Sequence, residues 1–297
     1  MNRLLEQEKL IFGDVDSLSI VDLSDGDSNS AFQVNERYLL KQFLNSTQLK
    51  KEVAGIYLFS LLAEVDVPML ISQGESYFVS EFITGSVPAS RLLETKAISM
   101  EQVSSVVAKF VAKTYWKYRV ADREKLKLFP SMSWEERLVG IIKGFKEYKP
   151  VILRFVSERQ YNYMLKRIVS IDKDRSFTKN LTLTHRDLHT DNILVSLNVG
   201  VPNFYVIDFE HCMEGPVELE FQNSLLWNDS KSLDIKGVIR NLSLLYNVPY
   251  SEQAEKTLSI VYLIEQINLA LAKQDERKVR LLFEKYRTAW VGEGGED

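Results

Sequence analysis

The chain has 297 residues, of which 45% are hydrophobic and 26% are charged, and its formal net charge is −4. This composition is that of an ordinary globular protein, long enough for one large domain or two lobes with a shared core, and the single cysteine, Cys212, excludes an internal disulfide framework. The acidic balance without a dense Lys/Arg stripe argues against nucleic acid as a partner. No segment reaches the roughly 18 uninterrupted apolar residues of a membrane span, so we expect a cytoplasmic protein.

The first part of the chain predicts a small antiparallel sheet with one helix laid across it. Short β-favouring runs alternate with turn signals, notably the polar turn from Ser24 to Ser30. The predicted strands are residues 18–23, 31–34, 38–43, 68–71 and 77–83. Between the third and fourth strands, residues 48–63 carry apolar side chains at helical spacing and predict a helix.

From about residue 98 the pattern changes to helices. Residues 100–118, 133–148 and 157–171 have helical spacing, and residues 218–290 have it again, most strongly over 251–272. The stretch from Leu181 to Glu210 returns to short β runs around a polar loop. We therefore predict a two-lobed α+β fold, with a small sheet lobe and its helix over residues 1–85 and a larger, mainly helical lobe over 86–297.

The residues that indicate chemistry lie between Leu181 and Glu210. His185-Arg186-Asp187 is followed by Asn192, and Asp208 ends the next hydrophobic strand. This order and spacing match the His-Arg-Asp-x-x-x-x-Asn loop of phosphoryl-transfer enzymes, with an aspartate at the end of the following strand. Each of these residues alone is common in turns, so it is the ordered combination that carries the prediction.

Phosphoryl transfer to a hydroxyl group explains why these residue types are needed. A carboxylate must orient the attacking hydroxyl and accept its proton, so Asp187 is the candidate catalytic residue, acting more by positioning than as a strong base. Magnesium requires hard oxygen ligands, which makes Asn192 and Asp208 candidate metal ligands. His185 is expected to be structural and to fix the loop through a hydrogen bond to the backbone.

The segment with these motifs resembles the aminoglycoside phosphotransferase and choline kinase family, which are small-molecule kinases with a two-lobed, protein-kinase-like fold. That family has His-Gly-Asp-Leu-His-x-x-Asn-Ile-Leu, followed by a strand that ends in Ile-Asp-Phe/Trp-Glu. Here Arg186 replaces the glycine, and His189 is the residue that small-molecule kinases have at this position. Glu210 stands where protein kinases have the glycine of Asp-Phe-Gly. The resemblance implies ATP and Mg²⁺ as cofactors and a small hydroxyl compound as acceptor.

The same resemblance implies a nucleotide site in the first lobe. Lys41, on the third predicted strand, and Glu52, on the helix, fit the lysine–glutamate pair that presents an ammonium group to the α- and β-phosphates. The turn from Ser24 to Ser30 would cover the phosphates with backbone amides and small polar side chains, although a plain hairpin turn is an alternative for it. The residues assigned to this turn are Gly26, Ser28 and Asn29.

The run Tyr77–Gly85 resembles the hinge that joins the two lobes. The backbone of Ser80, Glu81 and Phe82 would there form hydrogen bonds with the edge of the adenine ring. Because backbone groups make these contacts, the identity of the side chains constrains the prediction poorly.

In this family the helices of the second lobe build the acceptor site. Clustered carboxylates would suit an amine-bearing acceptor, such as an aminoglycoside-like antibiotic, an amino sugar or an amino alcohol, and an aromatic ring would suit a sugar face or a quaternary ammonium group. Acidic residues on helices usually face solvent, and a tryptophan is often part of the core. The candidates are Glu214, Glu218, Glu220, Trp227 and Asp229.

The sequence therefore predicts an ATP-dependent O-phosphotransferase that acts on a small molecule, in antibiotic resistance or in primary metabolism. Two alternatives stay open. A protein Ser/Thr kinase is supported by Arg186 alone. A pseudokinase scaffold that binds nucleotide without turnover has no chemical need for the complete set, which comprises Lys41, Glu52, Asp187, Asn192 and Asp208.

Overall fold

The computed structural model describes residues 5, 8–13, 17–24, 29–121, 133–173, 177, 180–198, 201–227 and 233–291. Within these ranges, no helix is both long and apolar enough to cross a membrane.

A five-stranded antiparallel sheet forms the first part of the fold, in the order β1-β2-β3-β5-β4. Its strands are β1 (Ile20–Asp22), β2 (Asn29–Val34), β3 (Tyr38–Phe43), β4 (Leu70–Gln73) and β5 (Tyr77–Glu81). Successive side chains of a strand point to opposite faces of the sheet. Phe78 therefore joins the main core with helix α2 (Ser46–Leu62), whereas Tyr77 and Val79 pack on the other face with helix α1 (Lys9–Phe12).

The second part of the fold is mainly helical and contains two smaller antiparallel sheets. One sheet has the order β6-β8-β9 and the other pairs β7 with β10. Their strands are β6 (Ser86–Pro88), β7 (Leu181–Thr184), β8 (Ile193–Asn198), β9 (Val201–Val206) and β10 (Met213–Pro216). The helices are α3 (Ala89–Glu94), α4 (Met100–Val120), α5 (Trp134–Glu147), α6 (Lys149–Ile152), α7 (Glu158–Lys173), α8 (Gln222–Trp227), α9 (Ile235–Tyr246), α10 (Glu252–Ala272) and α11 (Glu276–Val291).

Local sequence determines where the long helices begin. Ser99 caps α4 by accepting a hydrogen bond from the Gln102 amide, and the Gln102 side chain accepts one from the Ser99 amide in return. Ser251 caps α10 by accepting a hydrogen bond from the Ala254 amide. Each cap satisfies amide groups that have no partner inside the helix, and a cap contributes about 1 kcal/mol.

The strand pairing brings the candidate catalytic segments together. Ile193 at the start of β8 pairs with Val206 at the end of β9, so the residues just outside this pair are neighbours. The Ile207 amide donates a hydrogen bond to the Asn192 carbonyl at 3.1 Å. β7 ends at Thr184, directly before the His-Arg-Asp segment. Three strand ends thus meet where the chemistry is expected.

The predicted strands and helices occur, with ends shifted by a few residues. The sequence does not predict β6 or β10, because each is a short strand whose pairing depends on a distant segment; Val87 of β6 pairs with Val195. The division into lobes at residue 85 stays a prediction.

Gly55 provides a test of how α2 is seated. A Cβ atom at this position would lie 2.3 Å from the Cβ of Phe209 and 2.8 Å from the Sγ of Cys212. Because a Cβ moves only with its backbone, Gly55→Ala should lower the free energy of unfolding by about 1–3 kcal/mol, measured by urea denaturation.

Gly140, which is exposed on α5, is the matched control. A Cβ there meets nothing within 4 Å. Gly140→Ala should therefore raise the free energy of unfolding by up to about 1 kcal/mol, because alanine favours helix. Equal losses from the two substitutions would contradict the close contact proposed for α2.

Candidate active site

The predicted lysine, glutamate and strand-end aspartate lie in direct contact. The Lys41 Nζ atom, on β3, is 2.7 Å from Asp208 Oδ1 and 3.5 Å from Glu52 Oε1. The Glu52 side chain is 3% exposed and that of Lys41 is 14% exposed. An ammonium group that is largely withdrawn from water therefore lies between two carboxylates.

The pKa shifts follow from this arrangement. Burial alone would lower the pKa of Lys41, but the carboxylates of Glu52 and Asp208 outweigh burial and raise it. Burial also opposes ionisation of Asp208, yet the ion pair with Lys41 lowers the pKa of that carboxyl. For Glu52, which is more deeply buried and farther from Lys41, desolvation dominates and raises the pKa. Asp208 thus makes the closer of the two contacts with the Lys41 ammonium group.

Asp208 belongs to a group of three carboxylates that lie close together. Carboxylate oxygens of Glu52, Asp208 and Glu210 lie within 4.8 Å of one another. Hard oxygen donors are what Mg²⁺ prefers, so this set fits a magnesium ion. The Asn192 amide nitrogen donates hydrogen bonds to Asp187, so its amide oxygen is the atom that would serve a metal ion. The sequence predicts Asp208 and Asn192 as metal ligands, and Glu210 is the addition that the geometry makes.

The predicted phosphate-covering turn is described only in part. Gly26 and Ser28 lie outside the described residues. Asn29 begins β2, and its Nδ2 donates a hydrogen bond to Glu210 Oε2 at 2.9 Å. Asn29 is therefore bonded to one member of the oxygen cluster.

His185 is fully buried and holds the backbone of the loop. Its Nε2 donates a hydrogen bond to the Ile207 carbonyl at 2.9 Å, and its Nδ1 accepts one from the Asp187 amide at 3.3 Å. These two partners together require the tautomer with the proton on Nε2. The ring also packs against Phe209, with centroids 4.9 Å apart. This is the structural role that the sequence predicts for it.

Arg186 adopts a left-handed backbone conformation, which is uncommon for residues other than glycine. Its φ angle is +69°, and the family that the sequence resembles has glycine at this position. Two buried carboxylates stabilise the turn. Glu220 accepts hydrogen bonds from the amides of His185 and Arg186, both at 2.8 Å, and Glu265 of α10 pairs with the guanidinium group of Arg186.

Asp187 lies at the centre of this assembly with 17% of its side chain exposed. Its Oδ2 accepts a hydrogen bond from Asn192 at 3.2 Å, and its Oδ1 accepts one from Asn223 of α8. His189 Nε2 lies 3.8 Å from Oδ2. Burial raises the pKa of Asp187, although the two amide donors oppose that rise. The carboxylate is fixed and still reachable by a small hydroxyl group.

Two of the backbone amides predicted to meet the adenine edge already have partners. The amide of Glu81 donates a hydrogen bond to the Met69 carbonyl and the amide of Phe82 to the Arg37 carbonyl, so neither is free for a nucleobase. Ser80 is buried within the sheet. Among the described residues of this segment, the amides of Ile83, Thr84 and Gly85 donate no hydrogen bond, and Ile83 is the first of them after the sheet.

A cavity of about 190 Å³ lies beside this segment. It is bounded by β1, β2 and the residues after β5, and the Phe82 side chain forms part of its wall. The residues that line it include Ser19, Val21, Gln33, Phe82 and Thr84.

The carboxylates predicted to contact the substrate already accept hydrogen bonds from the protein itself. Glu218 is 5% exposed and accepts a hydrogen bond from the Ser251 amide at the start of α10. Glu220 is 2% exposed and holds the catalytic loop. Glu214, which is half-buried on β10, accepts a hydrogen bond from the Tyr118 hydroxyl at 2.5 Å. Glu218 and Glu220 are thus structural anchors, which corrects the prediction that they contact the acceptor.

The aromatic candidate falls in a part that is not described. Trp227 ends α8, but its side chain lies outside the described residues, and so does Asp229.

Besides Glu210, sequence reasoning misses Asn223, Glu265 and the amide of Ile83. Asn223 and Glu265 lie far along the chain from Asp187 and have no motif around them. Ile83 follows the last paired residue of β5, and the sequence does not show where that pairing ends. The structural role of Glu220 was open to prediction from sequence. It is an acidic residue in the short apolar run after β10, and a carboxylate buried there needs a hydrogen-bond donor.

Known proteins share this sequence pattern and this fold. The model of the phosphotransferase enzyme family matches residues 19–235, more than half of the chain. No curated protein sequence matches this chain. The GDP complex of wild-type aminoglycoside 2'-phosphotransferase-IIIa has a TM-score of 0.70 at 14% identity, covering 99% of this chain and 100% of that chain.

Two further solved structures are similar. The GDP and kanamycin complex of APH(2")-IIia has a TM-score of 0.67 at 14% identity, over 96% of this chain and 100% of that one. A thermostable mutant of aminoglycoside phosphotransferase APH(4)-Ia, in a ternary complex with AMP-PNP and hygromycin B, has a TM-score of 0.69 at 16% identity, over 98% and 99% of the chains. At such identities the likeness concerns the fold, and the predicted two-lobed α+β fold is confirmed.

The buried His185 makes stability dependent on pH. Burial lowers the pKa of His185 to about 4, from an ordinary value of 6.5. Between these values the unfolded chain binds a proton that the folded chain excludes. The free energy of unfolding should therefore fall as the pH falls from 6.5 towards 4, by at most about 1.4 kcal/mol per pH unit from this group.

Urea denaturation at several pH values measures this effect. His185→Gln retains a donor and an acceptor but does not titrate, so its stability should fall less steeply over the same window. Identical slopes in the variant and the wild type would contradict a neutral, buried His185.

Proposed function

The chain belongs to the phosphotransferase enzyme family, and from this premise we propose that it transfers the γ-phosphate of ATP to a hydroxyl group of a small molecule. The observation that carries the proposal is the convergence of three strand ends. They place the carboxylate of Asp187, the amide of Asn192 and the Lys41–Asp208 ion pair around one cleft. A phosphoryl transfer needs these groups together, because catalysis consists largely of positioning and charge stabilisation.

In this proposal Asp187 acts on the acceptor. Its carboxylate accepts a hydrogen bond from the acceptor hydroxyl and orients the oxygen in line with the γ-phosphorus. As the new oxygen–phosphorus bond forms and the bond to the β-phosphate bridge breaks, the hydroxyl proton passes to Asp187. The products are the phosphorylated acceptor and ADP.

The remaining residues bind the nucleotide. Lys41 presents its ammonium group to the phosphates, and Glu52 limits its movement from the buried side. Asp208 and Asn192, with Glu210, would hold Mg²⁺, which when bound neutralises charge on the phosphate oxygens. We propose that the adenine edge meets the amide of Ile83 beside the cavity bounded by β1 and β2. Complexes of similar solved structures with GDP and with AMP-PNP support a nucleotide as a ligand of this chain.

The acceptor proposed is an aminoglycoside-like antibiotic, an amino sugar or an amino alcohol. Its support is that similar solved structures hold kanamycin and hygromycin B. The buried positions of Glu218 and Glu220 give it no support, so Glu214 is the carboxylate still assigned to an amine.

Asp187→Asn tests the catalytic assignment. The amide keeps the size of the side chain but cannot take the proton, so turnover should fall by about 10²–10⁴-fold while ATP binding is retained. The measurement is ADP release with MgATP and a panel of aminoglycosides, other antibiotics, choline, ethanolamine, homoserine and sugars.

Asp275→Asn is the control for that experiment, since it makes the same isosteric change at an exposed position between α10 and α11. It should leave turnover unchanged. Near-native turnover of Asp187→Asn would show that the catalytic residue is assigned wrongly.

Asp208→Ala tests the nucleotide site. Loss of this carboxylate should weaken binding of MgATP by about tenfold or more, while binding of ATP without Mg²⁺ changes little, because the ligand lost is one for the metal. The shift in melting temperature on adding ATP, measured with and without Mg²⁺, distinguishes binding of MgATP from binding of ATP alone. An unchanged gain in melting temperature from added Mg²⁺ would remove Asp208 from the metal site.

A further inference from the structure

Amide groups hold the carboxylate of Asp187 from two sides. Asn192 donates to Oδ2 from the loop itself, and Asn223 donates to Oδ1 from α8. A carboxylate oxygen can accept more than one hydrogen bond, so both oxygens keep capacity for an acceptor hydroxyl. The torsion angle of the carboxylate is nevertheless fixed by the two donors.

The orientation of Asn223 is itself determined by a tyrosine. The Tyr262 hydroxyl, on α10, donates a hydrogen bond to Asn223 Oδ1 at 2.9 Å. With its oxygen held there, the amide must direct its nitrogen towards Asp187. A flipped amide would place an oxygen against the carboxylate and would leave the tyrosine facing an NH₂ group.

Tyr262 is in turn fixed among the charges that support the catalytic loop. The guanidinium group of Arg186 lies over its ring, 5.5 Å from the centroid. Glu265, three residues further along α10 and so on the same helix face, pairs with both Arg186 and Arg137 of α5. Tyr262 is 6% exposed and Glu265 is 5% exposed. One face of α10 therefore contacts both the Arg186 side chain of the loop and the amide that contacts Asp187.

We propose that Asn223, oriented by Tyr262, is a positioning residue that holds the carboxylate of Asp187 towards the acceptor hydroxyl. This inference rests on the proposed function, because it concerns the orientation of the group that receives the proton. Misorientation of a catalytic group affects the chemical step more than the binding of nucleotide.

Three variants and two measurements test it. Asn223→Ala should lower kcat about 10- to 100-fold, with nucleotide binding within twofold of wild type. Tyr262→Phe removes only the hydroxyl that orients Asn223, and should lower kcat several-fold. In Asn223→Ala/Tyr262→Phe the second substitution should add no further loss, because the amide that it orients is absent.

Tyr161→Phe is the matched control. Tyr161 is 2% exposed, and its hydroxyl donates to a backbone carbonyl in a different part of the core. It should leave kcat unchanged. Additive losses in the double variant, or equal losses of kcat and nucleotide binding, would show a general structural role and overturn the proposal.

Crystal structures of the wild type, Asn223→Ala and Tyr262→Phe give a result that does not depend on the acceptor. The carboxylate of Asp187 should rotate or become disordered in Asn223→Ala, and the Asn223 amide should lose its fixed orientation in Tyr262→Phe. An unmoved Asp187 would overturn the proposal. Absence of turnover in the wild type with every acceptor would instead count against the proposed function, and the crystal structures would still decide the role of Asn223.

Discussion

The catalytic loop depends on the buried carboxylate of Glu220. Arg186 has a left-handed backbone conformation, which costs roughly 1–2 kcal/mol for a residue other than glycine. Glu220 offsets that cost with two hydrogen bonds to successive backbone amides, each worth about 1.5–3 kcal/mol when the acceptor is charged. Burial raises the pKa of Glu220 to about 7, while the two amides lower it. Of the two buried carboxylates at the turn, Glu220 is thus the one that binds its backbone, and with it helps to fix the position of Asp187.

An ion pair and a hydrogen bond join the two parts of the fold. Lys41 lies on the five-stranded sheet and Asp208 on the loop after β9, and their ion pair links these two segments. Asn29 and Glu210 form a second bridge between the sheet and the same loop. The two parts of the fold are therefore held together by side chains that the proposed function assigns to the phosphates and Mg²⁺.

The sequence predicts the parts of the site that are local and fails where tertiary contacts decide. Asp187 and Asn192 lie on one loop, so their spacing alone indicates their relation. Glu218, by contrast, has the appearance of a surface acid, and only the packing of α10 against it determines that it is buried. The hinge amides are likewise occupied because of the register with Arg37 and the contact with Met69, which no short motif encodes. Asn223 is 36 residues from Asp187 and meets it only because α8 folds back.

The burial of Phe209 has a consequence for how the protein can be controlled. The ring is fully buried, with its centroid 5.1 Å from that of Phe59. Moving Asp208 out of the cleft by withdrawing this ring would vacate a phenylalanine site, at a cost of about 3–5 kcal/mol. Fewer than about one molecule in a hundred would then occupy such a withdrawn state. Asp208 is therefore kept in contact with Lys41 in nearly every folded molecule, because the neighbouring ring holds its segment in the core.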